Sequence, residues 1–169
     1  GLYAARLTTE DGRVGFAPFV LRPATPGALR QLVVLPTNTW QTYNMYDRDG
    51  DGWGDTWYAG GNPPVELDRP YRDRGVPPRF KAYDRAFLRW LWRTGRAPDM
   101  VADDDLEAFA SGDDLRALYD LVVFPGHHEY VTAVVDHERG VVVWSSKGKN
   151  SDTLKAFFEE LGPERRALL

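Results

Sequence analysis

The chain has 169 residues, 43% of them hydrophobic, with no cysteine and a formal charge of −4 from 21 basic and 25 acidic side chains. That length and composition suit one folded domain with a real core, not a disordered segment. Without cysteine there are no disulfides, thiolate nucleophiles or cysteine-bound zinc, and a pI near 5.4 has the wrong sign for a nucleic-acid footprint.

The opening reads as β structure. Residues 2–7 and 15–21 are apolar-rich runs flanking Glu10-Asp11-Gly12, an Asp-Gly hairpin signal. Residues 23–27 form a short loop. Residues 32–35, Leu-Val-Val-Leu, are a continuous apolar strand ended by Pro36. From 37 to 78 the chain is rich in Gly, Pro, Asp and aromatics, with little periodicity, and reads as one long functional loop. Phe80, Tyr83, Phe87, Trp90 and Leu91 then recur at helical spacing, which predicts one amphipathic helix over 79–94 with Gly95 as its stop. Residues 99–102 are a strand. Residues 103–110 and 113–118 are short helical pieces, the first with Asp103 as its cap. Residues 121–124 are the next strand, closed by Pro125-Gly126. This alternation means an α/β sheet with crossovers. Beyond it the pattern changes. Residues 130–135 and 141–144 read as the two arms of a β-hairpin around His137-Glu138-Arg139-Gly140, and 153–161 as a helix capped by Ser151 or Asp152.

Three groups of residues carry candidate chemistry. His127, His128 and Glu129 follow a strand end, where open α/β sheets place their sites. Imidazole and carboxylate there are metal ligands or proton carriers, or else a polar turn. Asp47, Asp49 and Asp51 alternate ahead of Gly52, with Asp55 close behind. Oxygen donors so spaced can hold calcium, but Tyr58 stands where an EF-hand needs its glutamate, so the alternatives are a partial calcium loop and a solvated acidic turn. The aromatics of 40–44 and 53–58 either line a pocket or cover the sheet edge.

Several stretches together carry a family resemblance: Gly1-Leu2-Tyr3-Ala4-Ala5-Arg6-Leu7, Ala17-Pro18-Phe19-Val20, Leu35-Pro36-Thr37-Asn38-Thr39-Trp40-Gln41-Thr42-Tyr43-Asn44, Asp68-Arg69-Pro70-Tyr71, Phe87-Leu88-Arg89-Trp90-Leu91, Asp104-Asp105-Leu106 and Gly126-His127-His128-Glu129-Tyr130. In this order they resemble the C-terminal domain of the large (beta) subunit of N,N-dimethylformamidase, over residues 1 to about 130. The resemblance implies an α/β fold with a glutamine-amidotransferase-like (flavodoxin-like) parallel sheet. It also implies hydrolysis of a small amide C–N bond at an iron held by two tyrosines and a glutamate. Matched residue by residue, the iron ligands would be Tyr43, Tyr58 and Glu129, with His127 and Glu129 as the catalytic pair. Hard phenolate and carboxylate oxygens suit ferric iron.

The tail follows a different text. Gly126-His127-His128-Glu129-Tyr130-Val131-Thr132, Val134-Val135-Asp136-His137-Glu138-Arg139-Gly140, Val142-Val143-Trp144 and the run from Thr153 to Arg165 resemble a fragment of a bacterial insertion-sequence transposase of the DDE type, from about 128 to 169. The expected organisation is therefore a β-hairpin from a preceding β region over 1–27, an incomplete amidase-like α/β domain over 28–130, and a transposase-like hairpin and helix over 131–169. A sheet truncated in this way is expected to self-associate and to be impaired as an enzyme.

Two other readings stand beside the metal-dependent hydrolase. A DDE transposase is opposed by the acidic pI and by the missing catalytic carboxylates, so no nucleic-acid partner is expected. A non-catalytic calcium- or carbohydrate-binding module would rest on the aromatic loop. No apolar run approaches the roughly 20 residues of a membrane span, so no membrane partner is expected. The chain begins with Gly, so its true N-terminus is expected upstream; the compartment stays open, with the cytoplasm favoured.

Overall fold

A computed structural model describes residues 1–58 and 65–130, together with the backbone of the short strands Val135–Asp136 and Val141–Val142. Its centre is the strand β3, Gln31–Leu35. Leu32, Val33, Val34 and Leu35 are all buried, as a continuous apolar run requires of a strand covered on both faces. β3 pairs in parallel with β4, Asp99–Ala102, on one side and with β5, Leu121–Val123, on the other, giving the order β4-β3-β5.

Alternation along β3 builds two cores. Leu32 and Val34 pack on one face with Val101, Leu106, Leu115 and Tyr119. Val33 and Leu35 pack on the other with Trp40 and Leu91, joined by Leu2 and Val20 from the opening hairpin. That hairpin is β1, Leu2–Thr8, and β2, Val14–Val20, antiparallel as expected. On the first face lies the helix α4, Gly112–Leu118, whose cap is Ser111: its hydroxyl accepts from the Asp114 N–H at 3.3 Å, and the Asp114 carboxylate accepts from the Ser111 N–H at 3.0 Å. The tail strands β6 and β7, Val135–Asp136 and Val141–Val142, pair antiparallel, in keeping with the hairpin read over 130–144. The helix expected over 153–161 lies outside the described residues. The architecture is thus mixed α/β, with a small parallel sheet and antiparallel hairpins.

Three expectations are corrected. The stretch from 37 to 78 is not all loop: it opens with the helix α1, Thr37–Thr42, buried from Asn38 to Thr42. A helix buried all round has no amphipathic stripe to read, and Thr and Asn are poor helix formers. The helix read over 79–94 is two, α2 at Phe80–Tyr83 and α3 at Arg85–Arg93, parted at Asp84. Asp84 is 2% exposed because it turns inward to accept a hydrogen bond from Trp40 Nε1 at 3.1 Å. The helical piece at 103 is a 3-10 turn, Asp103–Ala108, and Asp103 does not cap it. The Asp105 carboxylate does that work, accepting from the Ala102 N–H at 2.8 Å, while Asp103 faces the interior.

The segment after α1 is locked to the hairpin at Gly75. Its φ is +87°, and a methyl group there would lie 1.7 Å from the Phe16 carbonyl oxygen, while the Phe16 N–H bonds the Arg74 carbonyl at 3.0 Å. Replacing Gly75→Ala is expected to cost about 2–3 kcal/mol of stability, from combined backbone strain and collision. Urea unfolding followed by tryptophan fluorescence checks it; an unchanged midpoint would contradict this packing.

Candidate active site

The site forms where β3 and β5 both end. α1 leaves β3 directly, and the turn 124–130 leaves β5, so parallel pairing brings their first residues side by side. One hydroxyl joins them. Thr39 Oγ1 accepts from the N–H groups of Glu129 and Tyr130, each at 3.0 Å, and donates to the Tyr130 carbonyl at 3.4 Å. Both acceptor positions and the one proton of that hydroxyl are thereby used.

Around this joint the oxygens gather. The Tyr43 hydroxyl donates to Glu129 Oε2, and His127 Nε2 lies 3.2 Å from the same carboxylate oxygen. Tyr58 stacks on Tyr43 with ring centroids 5.0 Å apart, and its hydroxyl is 3.0 Å from that of Tyr130. Tyr43, Tyr58, His127 and Glu129 are therefore brought together, and Tyr130 joins them. The Arg79 guanidinium lies over the Tyr43 ring, 5.3 Å from its centroid.

Phenols crowded on a carboxylate are reluctant acids. Burial, then the hydrogen bond to Glu129, raises the Tyr43 phenol above its ordinary range. The Tyr58 phenol is pushed up to about 12, by burial first and by Tyr43 and Glu129 after it. A trication placed among these oxygens would reverse the sign of that interaction, and phenolate and carboxylate are the hard donors such an ion takes. The donor set therefore fits iron, with Tyr43, Tyr58 and Glu129 as the residues that would hold it.

Tyr58 reaches the cluster because a buried arginine pins its loop. Arg69 donates to the carbonyls of Gln41 at 2.7 Å and Glu66 at 2.8 Å, and to that of Asp55. Thr56 Oγ1 ties the next residue to the Thr42 carbonyl at 2.7 Å. Asp47, Asp49 and Asp51 do converge, with ligand oxygens all within 4.8 Å of one another. Asp55 stands apart from them, accepting from the Arg48 N–H at 2.9 Å. The three also serve their own turn: Asp47 takes the N–H groups of Gly50 and Gly52 at 2.7 and 3.0 Å, and Asp51 takes that of Trp53 at 2.7 Å.

Two buried carboxylates back the histidines. His128 Nδ1 is 3.4 Å from Asp103 Oδ1, with the histidine side chain 8% exposed. Asp84 Oδ1 faces Gly126, where φ is +74° and a methyl group would come within 2.1 Å of that oxygen. Burial raises both aspartates above the usual carboxylate range, although Trp40 and the two histidines oppose this at Asp84, and His128 opposes it at Asp103. Thr39, Arg69, Asp84 and Tyr130 were not among the residues singled out from sequence for the site. The signals were faint: a Thr inside an aperiodic run, an Arg before Pro, an Asp at the expected centre of a helix.

The chain belongs to the family described as N,N-dimethylformamidase beta subunit-like, C-terminal, whose model matches residues 1–141. It is also similar to the transposase for insertion sequence element IS1557 from two strains of Mycobacterium tuberculosis, CDC 1551 / Oshkosh and ATCC 25618 / H37Rv. Each is 39% identical over 85 residues, covering 47% of this chain and 18% of the transposase. The chain thus spans under a fifth of the length of these relatives. The transposase match is about twice as long as the stretch 128–169, so the similarity is not confined to that tail, and part of the chain matches both families. No solved structure matches the chain.

Two substitutions test the backing of the site. Thr39→Val leaves the half-buried N–H groups of Glu129 and Tyr130 without an acceptor, and is expected to cost about 2–3 kcal/mol in urea unfolding. Asp84→Asn should act in the opposite direction. The folded protein prefers the protonated acid, so the native carboxyl favours folding below its unfolded pKa near 3.8 and loses that advantage as pH rises through the raised folded value. Melting curves at pH 7 should show Asp84→Asn at least as stable as the parent, with the difference shrinking towards pH 4. A variant that is less stable at pH 7 than at pH 4, relative to the parent, would contradict this.

Proposed function

We propose that this chain is a metal-dependent hydrolase domain of the N,N-dimethylformamidase type, acting on the C–N bond of a small amide. The observation that carries the reading is the hydrogen bond from Tyr43 to Glu129 at the end of a parallel sheet, with Tyr58 stacked on Tyr43, in a chain that belongs to this family. Bound there, a ferric ion would polarise an amide carbonyl and acidify a water. Tyr43, Tyr58 and Glu129 are the residues that would hold it. Thr39 fixes the backbone from which Glu129 projects. His127, on the Glu129 carboxylate, is placed to carry a proton at Nε2 between water and the departing amine. Tyr130 holds the hydroxyl of Tyr58 and keeps its ring over Tyr43.

The same reading takes the β4-β3-β5 order as part of a glutamine-amidotransferase-like (flavodoxin-like) sheet. It divides the chain into a hairpin unit over 1–27, the amidase-like unit over 28–130 and a transposase-like unit over 131–169. It places no nucleic acid among the partners. No helix among the described residues is long and apolar enough to cross a membrane.

Iron titration tests the site directly. Ferric iron should bind with about 1:1 stoichiometry and raise a visible phenolate-to-iron charge-transfer band. Tyr43→Phe or Glu129→Gln should abolish the band, and Tyr58→Phe should weaken and shift it. Hydrolysis of N,N-dimethylformamide by the iron-loaded protein should fall by about 100-fold or more in His127→Ala, the scale of lost acid–base catalysis. Iron bound with no such band would overturn the tyrosine ligation. Calcium at Asp47, Asp49 and Asp51 is a separate proposal, with calorimetry as its measure. Heat at millimolar calcium that disappears in Asp49→Asn is the expected result, and no heat leaves a turn held by its own carboxylates.

A further inference from the structure

Beside Tyr43, away from the carboxylate cluster, the chain encloses an open cavity of about 490 Å³. Its walls are Tyr43 and the apolar ridge of Val76, Pro77 and Pro78; its charged lining is Arg72, Arg79 and Lys81 against the single carboxylate of Asp73. In a chain of net charge −4, an excess of cations at one cavity is a local inversion. Lys81 and Asp73 face one another at 3.7 Å. The guanidinium groups of Arg72 and Arg79 have no carboxylate partner among the described residues.

Arg79 is held in place at a conformational cost. Its φ is +59°, in the left-handed region that a non-glycine residue rarely adopts. That backbone starts α2, accepting from the N–H groups of Ala82 and Tyr83 at 2.9 and 3.1 Å. It also carries the guanidinium over the Tyr43 ring, 5.3 Å from the centroid. The same ring presents its hydroxyl to Glu129. Arg79 and Tyr43 further border a small crevice with His127 and Asp84. Between the two arginines, Gly75 packs directly against the Phe16 backbone. A cation fixed one aromatic ring away from the proposed reacting centre is suited to hold the far end of a substrate.

We infer that this cavity is the binding site for an anionic group on the substrate, so that the amide acted on carries a carboxylate, as N-acyl or N-formyl amino acids do. The inference rests on the hydrolase reading for the word amide; the anion site itself rests on Arg72, Arg79 and the cavity. A planar guanidinium pairs with carboxylate through two parallel hydrogen bonds, and the ridge of Val76, Pro77 and Pro78 gives the rest of the substrate an apolar surface. The carboxylate end lies on the arginines and the amide end points past Tyr43 to Glu129 and His127. A neutral dialkyl formamide uses none of these contacts.

The test separates the two readings by measuring binding to the metal-free protein, before any hydrolysis. Calorimetry at low salt should show N-formylglycine binding at least about 10-fold more tightly than N,N-dimethylformamide, the worth of one charge-assisted pair. Affinity for the anion should weaken as salt rises. Arg79→Gly relieves the left-handed backbone, so it should melt no lower than the parent and yet lose about 10-fold or more in affinity for N-formylglycine. Arg72→Gln should lose affinity without change in fold. Equal affinity for the neutral and the anionic amide would overturn the inference. So would unchanged anion binding in a folded Arg79→Gly, and so would acetate binding as tightly as N-formylglycine, which would leave a general anion site. A protein that hydrolyses N,N-dimethylformamide yet shows no preference for the anion would keep the proposed function and lose this substrate class.

Discussion

The hydroxyl of Thr39 is the joint on which the site depends. Two segments nearly ninety residues apart leave neighbouring strands at the same sheet edge, and each brings one half of the candidate site: Tyr43 on one, His127 and Glu129 on the other. Parallel pairing sets them side by side to within a few ångströms, but pairing ends at Val33 and Val123. From there on, Thr39 takes over, accepting two amides of the turn and returning its proton to a carbonyl of the same turn. A buried amide left without an acceptor costs about 1–3 kcal/mol, so the turn has few alternatives to this seat. The position of the Glu129 carboxylate is in this sense a consequence of backbone hydrogen bonding, not of the carboxylate's own contacts.

The fold was legible where burial follows a simple period. Leu32 to Leu35 is an uninterrupted apolar run, and only a strand covered on both sides needs one; the two cores divide its side chains alternately. The Asp-Gly hairpin, the strands at 99 and 121 and the stop at Gly95 follow from similarly local rules. What was illegible has a common cause. α1 is surrounded by protein, so no polar stripe marks it, and its Thr39 and Gln41 tie down the chain around it. Gln41 Nε2 donates to the Arg69 carbonyl, and just beyond the helix Asn44 Nδ2 donates to that of Pro70. Asp84 interrupts a helix that its neighbours would continue, because a tryptophan N–H within the core offers it a better partner than water does. Tertiary hydrogen bonds of this kind have no period along the chain.

The site was legible in part for a different reason. Tyr43, Tyr58, His127 and Glu129 came from a resemblance that spans several ordered stretches, and each lies in the cluster. The residues that position them did not come with it. Thr39 and Arg69 carry no chemistry of their own that would single them out. Tyr130 holds the hydroxyl of Tyr58, yet as one aromatic after a polar turn it reads equally well as packing. Arg79 is legible only in three dimensions, since neither its left-handed backbone nor its place over Tyr43 can be read from a Pro-Pro-Arg sequence.

The acidic loop shows how one electrostatic task can be met from inside the chain. Asp47, Asp49, Asp51, Asp55 and Glu66 crowd a segment that must hold Tyr58 in place, and the sequence suggests a bound cation as the organiser. The structure has an organising cation already. Arg69, 6% exposed, reaches three carbonyls in three separate segments, those of Gln41, Asp55 and Glu66, with Asp55 and Glu66 supplying the surrounding negative charge. Burial works against its proton and lowers its pKa, with those two acids opposing the shift. A guanidinium suits this because its donors fan out in a plane and can close three segments at once. The three converging aspartates meanwhile accept the amides of their own turn, which leaves the turn able to form with or without an ion. The path from this loop to Tyr58 runs through Arg69, Asp55 and Thr56, so the placing of the second tyrosine is set by a protein cation, and any ion at Asp47 would act on the turn before it acts on the site.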